Sequence, residues 1–187
     1  MNHPLKLGAI LFLLTAICVG ILGAVNEITK PIIEKNEIAT EEATMRQLIT
    51  TAESFENVNL TDESMIKKVS IAKQGNQTVG YVLRVEPNGY GGAIKLLIGI
   101  DQEEVVKGIS ILEHSETPGF GASADSDDFK NQFIDKIAPL TVSKSATSED
   151  EIQAITGATI TSTAITDAVN TAVEYVKNHK MEWGNIS

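Results

Sequence analysis

The sequence predicts an α+β protein: an N-terminal transmembrane helix and helical stalk followed by an antiparallel sheet with packed helices. Three observations carry this expectation. An uncharged apolar run occupies residues 7–25, the middle of the chain alternates with a period of two, and the C-terminal segment has an apolar stripe of helical period. At 187 residues the chain accommodates an anchor and one ordinary domain with its own core.

The apolar run, about nineteen residues long, nearly spans a hydrocarbon core of ~30 Å at ~1.5 Å rise per residue. About eleven of its residues are Leu, Ile, Phe or Val, which sums to roughly −3 to −7 kcal/mol for insertion. The run exceeds the roughly 7 to 15 apolar residues of a secretory signal, and Leu22-Gly23-Ala24 is a poor cleavage site. Cys18 follows apolar residues as a lipidated cysteine does, but the bulky Ile17 precedes it. A membrane anchor is therefore expected within residues 1–30. Lys6 on one flank faces Lys30 and Lys35 on the other, so charge leaves its orientation open.

Residues 31–54 are polar with a helical pattern, placing Ile38, Met45, Leu48, Ile49 and Ala52 on one stripe, as in a stalk that docks on a domain. The stalk is assigned to residues 31–60 and the domain to 61–187. From Lys67 the period becomes two. Val69 and Ile71 lead to a turn at Gly75-Asn76, then Val79, Tyr81, Leu83 and Val85 alternate with Gly80, Val82 and Arg84, the pattern of a hairpin. Further strands are expected over 93–100 and 105–112, a short helix over 128–134, and a long helix over 160–178 with Ile165, Val169, Ala172 and Val176 buried.

Composition narrows the chemistry. Beyond residue 25 the chain has 14 basic against 25 acidic residues, a balance that repels nucleic acid and anionic lipid. The single cysteine, Cys18, lies in the apolar run, so the chain forms no internal disulfide, Cys-ligated zinc site or iron–sulfur cluster. Redox chemistry here requires an organic cofactor.

Three segments invite a ligand. Thr156-Gly157-Ala158-Thr159 precedes the long helix, where small residues permit a tight turn and helix amides favour a phosphate. A Thr hydroxyl there can also be esterified, whereas the plain alternative makes Thr159, Thr161 or Ser162 a helix cap. Asn88-Gly89-Tyr90-Gly91-Gly92 concentrates glycines around one aromatic, suited to close backbone approach to a flat ligand or to a flexible hairpin connection. Glu116-Thr117-Pro118-Gly119-Phe120-Gly121 is a loop of defined shape whose hydroxyl, amides and aromatic ring suit an isoalloxazine, or simply a turn. Asp125, Asp127 and Asp128 lack the spacing of a calcium loop, and His114 between Glu113 and Glu116 has no nucleophile motif or second histidine at metal spacing. No catalytic residue and no metal ligand is assigned.

In order, the apolar anchor, Gly89-Tyr90-Gly91-Gly92-Ala93-Ile94, Glu116-Thr117-Pro118-Gly119-Phe120-Gly121 and Thr156-Gly157-Ala158-Thr159 resemble the RnfG component of the Rnf electron-transport complex over nearly the whole chain. The chain is also similar, more distantly, to the NqrC component of the sodium-translocating NADH:quinone oxidoreductase, which shares the FMN-binding domain. The resemblance implies an extracytoplasmic FMN-binding domain, a cytoplasmic N-terminus, and FMN placed on Thr159 through its phosphate by a flavin transferase that uses FAD. Tyr90, Gly91, Gly92, Glu116, Thr117, Gly119, Phe120, Gly121, Thr156, Gly157, Ala158 and Thr161 then frame the cofactor, with Lys144 as a nearby cation. Implied partners are a second membrane flavoprotein with its own FMN, integral subunits, and iron–sulfur subunits handling ferredoxin and NAD, the whole coupling electron flow to Na⁺ or H⁺ movement. The sequence departs from the family where Gln153 and Ala154 replace the usual Asp and Gly before the acceptor, and where Phe120 replaces the usual Leu. The rival readings are a membrane-tethered binding or sensory domain without cofactor, and an extracytoplasmic flavin reductase, for which no nicotinamide fingerprint is present.

Overall fold

The computed structural model describes residues 3–58 and 65–183. The chain divides into two compact units, the first through Glu42 and the second from Ala43. Helix α1, His3–Leu48, begins in the first unit. It is long and apolar enough to cross a membrane, and the side chains of Leu11, Phe12 and Leu22 are exposed along it. Its polar groups are returned to the backbone: Thr15 donates to the carbonyls of Leu11 and Phe12, and Thr29 to that of Val25. That leaves neither hydroxyl hydrogen unpaired in an apolar surrounding.

The helix runs through Pro31, the first residue assigned to the stalk. Proline removes one amide donor and crowds the preceding turn, yet the helix continues on both sides. Ile38, placed on the docking stripe, is exposed. The helical pattern read to residue 54 ends at Leu48, and Ser54–Val58 is a strand, β1. The boundary expected at residues 60 and 61 falls outside the described residues.

The second unit is built on an antiparallel sheet. After β1 come β2 (Ile66–Gln74), β3 (Gln77–Val85), β4 (Lys95–Asp101) and β5 (Val105–Glu113), then a 3-10 turn at Gly121–Asp125, helix α2 (Asp127–Lys130) and a second 3-10 turn at Asn131–Phe133. Strand β6 is Lys136–Ile137, and the six strands are ordered β1-β2-β3-β4-β5-β6. A parallel pair, β7 (Thr141–Ser143) and β8 (Glu151–Gln153), stands apart, followed by helix α3 (Thr159–Trp183). The hairpin, the two following strands and the last helix agree with the sequence period.

Both faces of the sheet are covered. On one, Val69, Leu83, Leu96, Ile98 and Ile100 pack with Ile165, Val169, Ala172 and Val176 of α3, and with Phe129 and Phe133. Helix α3 extends beyond the expected residue 178 because Trp183 is also buried, its ring 5.4 Å from that of Tyr81. On the other face Met45, Ile49 and Ala52 pack with Ala72, Val82 and Leu97.

Glycines on three adjacent strands make room for the end of α1. A Cβ on Gly99 would meet Leu48 Cβ at 2.9 Å, one on Gly108 would meet the Leu48 side chain at 3.2 Å, and one on Gly80 would meet Ile49 at 3.2 Å. Replacing Gly99 by Val overpacks this seat and is expected to destabilise the second unit by about 1–3 kcal/mol. Chemical denaturation of the full chain in detergent, followed through the Trp183 fluorescence, measures it.

Candidate functional site

Three loops from distant parts of the chain converge at the start of α3. The first lies between β3 and β4 and closes on itself through the Gly89 amide to the Gly92 carbonyl, 2.8 Å, and the Ile94 amide to the Pro87 carbonyl, 2.9 Å. This leaves the Gly91 amide pointing outward, where it donates to Glu116 Oε1 at 2.8 Å. The second loop follows β5. Its Thr117 carbonyl accepts from the amides of Phe120 and Ala122, and Gly119 takes the left-handed φ of +80° that the turn requires. The Glu116 amide donates to His114 Nδ1 at 3.2 Å.

The third loop is the entry to α3. The Ala158 amide donates to the Ile155 carbonyl, and the first helical bond runs from the Ser162 amide to the Ala158 carbonyl. Ser162 Oγ donates to that same carbonyl and accepts from the Ile155 amide, each at 3.0 Å, which locks the turn. Thr161 Oγ1 donates to Glu116 Oε2 at 2.6 Å. By helix geometry the first-turn amides of Thr159, Ile160 and Thr161 have no acceptor within the helix, so they present partial positive charge to whatever faces them.

The parallel pair β7–β8 steers the chain into this turn. Glu151, at the start of β8, accepts from the amides of Thr147 and Ser148, and those backbone donors hold its carboxyl below the usual carboxylate range. Gln153 has an exposed side chain, and its backbone amide donates to Gln132 Oε1 at 2.7 Å.

These loops enclose a cavity of about 570 Å³, within the range of roughly 300–1,000 Å³ common for small-molecule sites. It is lined by Tyr90, Glu116, Thr117, Phe120, Gly121, Gly157, Ala158, Thr159, Ile160 and Thr161. Glu116 is 6% exposed and Thr161 fully buried, whereas Tyr90, Phe120 and Ile160 are 72%, 52% and 57% exposed. The cavity thus has a polar floor and an apolar, partly aromatic mouth.

Of the residues picked out in the sequence, Gly91 reaches the site through its amide, while Gly92, Gly119 and Thr156 are not among the lining residues. Lys144 is exposed just past β7 and does not line this cavity. Ile160 does line it and was not picked out. The available signal was an apolar residue off the buried stripe of α3, immediately after Thr159.

Residues 89–174 match the FMN-binding domain family, and residues 1–48 match the RnfG N-terminal region. The chain is 44% identical to the G component of the proton-translocating ferredoxin:NAD(+) oxidoreductase complex of Clostridium ljungdahlii, over 83% of this chain and 82% of that one. The chain belongs to the RnfG family. It is also 36% identical to the G component of the Na(+)-translocating ferredoxin:NAD(+) oxidoreductase complex of Acetobacterium woodii, over 92% and 91%. The crystal structure of Shewanella oneidensis NqrC shares the fold with a TM-score of 0.50 at 17% identity, covering 66% of each chain.

The residues present suit FMN, the cofactor of this domain family. A flat ring fits an aromatic mouth, a phosphate fits the open first turn of α3, and a cradle is kept clear by glycine. A Cβ on Gly157, whose φ is +79°, would lie 2.8 Å from the Phe120 ring. Gly157→Ala is therefore expected to cost about 1–3 kcal/mol through the strained backbone and this contact. Combined with Phe120→Ala, the loss should be less than additive by about 0.5 kcal/mol or more, as a double-mutant cycle of unfolding free energies would measure.

Proposed function

We propose that this chain is the covalent-FMN electron carrier of a membrane-bound, ion-translocating ferredoxin:NAD⁺ oxidoreductase, with FMN joined through its phosphate to Thr159. One observation carries the point of attachment. Around the turn that opens α3, the Thr161 and Ser162 hydroxyls are buried and engaged, and Thr156 and Thr163 do not line the cavity. Thr159 is exposed, lines the cavity, and its hydroxyl makes no hydrogen bond among the described residues.

Thr159 Oγ1 accepts the FMN phosphoryl group of FAD: a new P–O bond forms at Thr159, the pyrophosphate bond breaks, AMP leaves, and the hydroxyl proton is lost. A flavin transferase supplies the catalysis, because no general base in this chain hydrogen-bonds Thr159 among the described residues. The first-turn amides of α3 and its dipole stabilise the resulting phosphodiester charge. Tyr90, Phe120 and Ile160 give the ring system an apolar bed, and Thr117 offers a hydroxyl at its edge. FMN supplies reversible one-electron transfer when bound. The residues of this chain bind, orient and shield, and none acts as a catalytic nucleophile.

The apolar segment of α1 spans the membrane once, with the N-terminus cytoplasmic and the FMN-binding domain outside. Partners are the other components of the Rnf complex, including a second membrane protein bearing FMN. The anchor over residues 7–25 has no Asp, Glu, Lys, Arg or His, so it offers no ion path of its own.

Intact-mass measurement of the denatured chain from cells containing the transferase is expected to show an increase on the order of 440 Da, localised by fragmentation to Thr159. Thr159→Val should lose the increase entirely while leaving the fold intact. An unmodified wild-type chain, or FMN on another residue, would refute the attachment.

A further inference from the structure

We propose that Glu116 is a positioning residue that fixes which hydroxyl is modified, rather than a group that contacts FMN. The inference rests on the covalent reading above and deepens it. Both carboxylate oxygens are committed: Oε1 accepts from the Gly91 amide at 2.8 Å and Oε2 from the Thr161 hydroxyl at 2.6 Å. These donors lie 25 residues before and 45 residues after Glu116, so a single side chain sets the register between the glycine turn and the first turn of α3.

The surroundings are shaped around that carboxylate. A Cβ on Gly89 would sit 2.3 Å from Oε1, and one on Gly121 would sit 2.2 Å from Oε2 and 2.8 Å from Thr161 Oγ1. A Cβ on Gly91 would collide with the Ser115 carbonyl at 2.2 Å. Glycines from two motifs thus admit one buried acid, which in turn holds the only cavity-lining hydroxyl of α3 besides Thr159 among the described residues. With Thr161 withheld, Thr159 is left as the acceptor, and the first-turn amides stand in fixed relation to Tyr90 and Phe120.

The test uses the full-length chain in detergent with a purified flavin transferase and FAD. Glu116→Ala is expected to slow FMN transfer about tenfold or more, the consequence of losing charge-assisted hydrogen bonds, mainly as a raised KM for the acceptor chain. Glu116→Gln should recover most of the rate, because its amide oxygen accepts from Gly91 while its NH₂ donates to Thr161 Oγ1. The visible spectrum of any loaded Glu116→Ala chain should shift, and FMN should also be found on Thr161.

Hydrogen exchange on the unloaded chain decides the same point without flavin: Glu116→Ala should accelerate exchange at the Gly91 amide and in the first turn of α3, while the Trp183 end of α3 stays protected. Wild-type transfer kinetics in Glu116→Ala, or unchanged exchange at Gly91, overturns the proposal. Equal impairment of the Ala and Gln variants with equal loss of melting temperature overturns it too. A wild-type chain that takes no flavin instead refutes the attachment to Thr159 and leaves the exchange result to decide the role of Glu116.

Discussion

A carboxylate removed from water must find donors within the protein, because leaving it unsatisfied costs several kcal/mol. Glu116 is in this position, and the site is arranged around its needs. Its donors are a backbone amide from the β3–β4 connection and a hydroxyl from α3. Neither can approach if side chains intervene, and that is why residues 89 and 121 have no Cβ. Glycines that look in the sequence like flexibility are instead close contacts. In these loops Gly92, Gly119 and Gly157 take positive φ, of +139°, +80° and +79°.

Helix α3 joins this constraint to the core. Ile165, Val169, Ala172 and Val176 bind it to the sheet, and Trp183 meets Tyr81 near its far end. A helix held along its length cannot translate at its N-terminus without repacking the sheet. The open amides of Thr159, Ile160 and Thr161 are thereby set before any ligand arrives, and preorganised dipoles stabilise charge without reorganisation. A site built on the end of a rigid helix rather than wholly in loops also holds its lining residues in fixed geometry, which suits an electron carrier.

Most of the sheet was legible because β2 to β5 are long enough for a period of two, and α3 because its stripe repeats over many turns. The remaining elements had no such signal. β1 is an edge strand in which only Phe55 and Val58 are partly buried, three residues apart, so Ser54–Val58 shows no period-two buried face. Strands β6, β7 and β8 have two or three residues each and exist only through their tertiary pairing. The change from apolar to polar composition after residue 30 leaves the helix uninterrupted, because α1 continues through Pro31. The three loops of the site were visible as composition, but their meeting point was not. Nothing local distinguishes Glu116 from Glu113, which is exposed and paired with Lys95 on the neighbouring strand. Lys144 precedes the entry to α3 in sequence, yet it is exposed and does not line the cavity.

The place of Phe120 is intelligible in the same terms. Phe120 lies over Gly157, where a Cβ would come within 2.8 Å of the ring, and its other side is half exposed at the cavity mouth. The side chain therefore does not fill the cavity from within; it forms an apolar wall beside the turn that opens α3. Gly157 is doubly required, by its φ of +79° and by the ring above it, so it stays glycine whatever side chain stands at 120. Glu116, Gly91 and Thr161 are joined to one another by hydrogen bonds, whereas Phe120 contributes apolar surface at the mouth of the same cavity. The polar floor and the apolar wall thus rest on different interactions, so a change of apolar side chain at 120 removes no hydrogen bond from the floor.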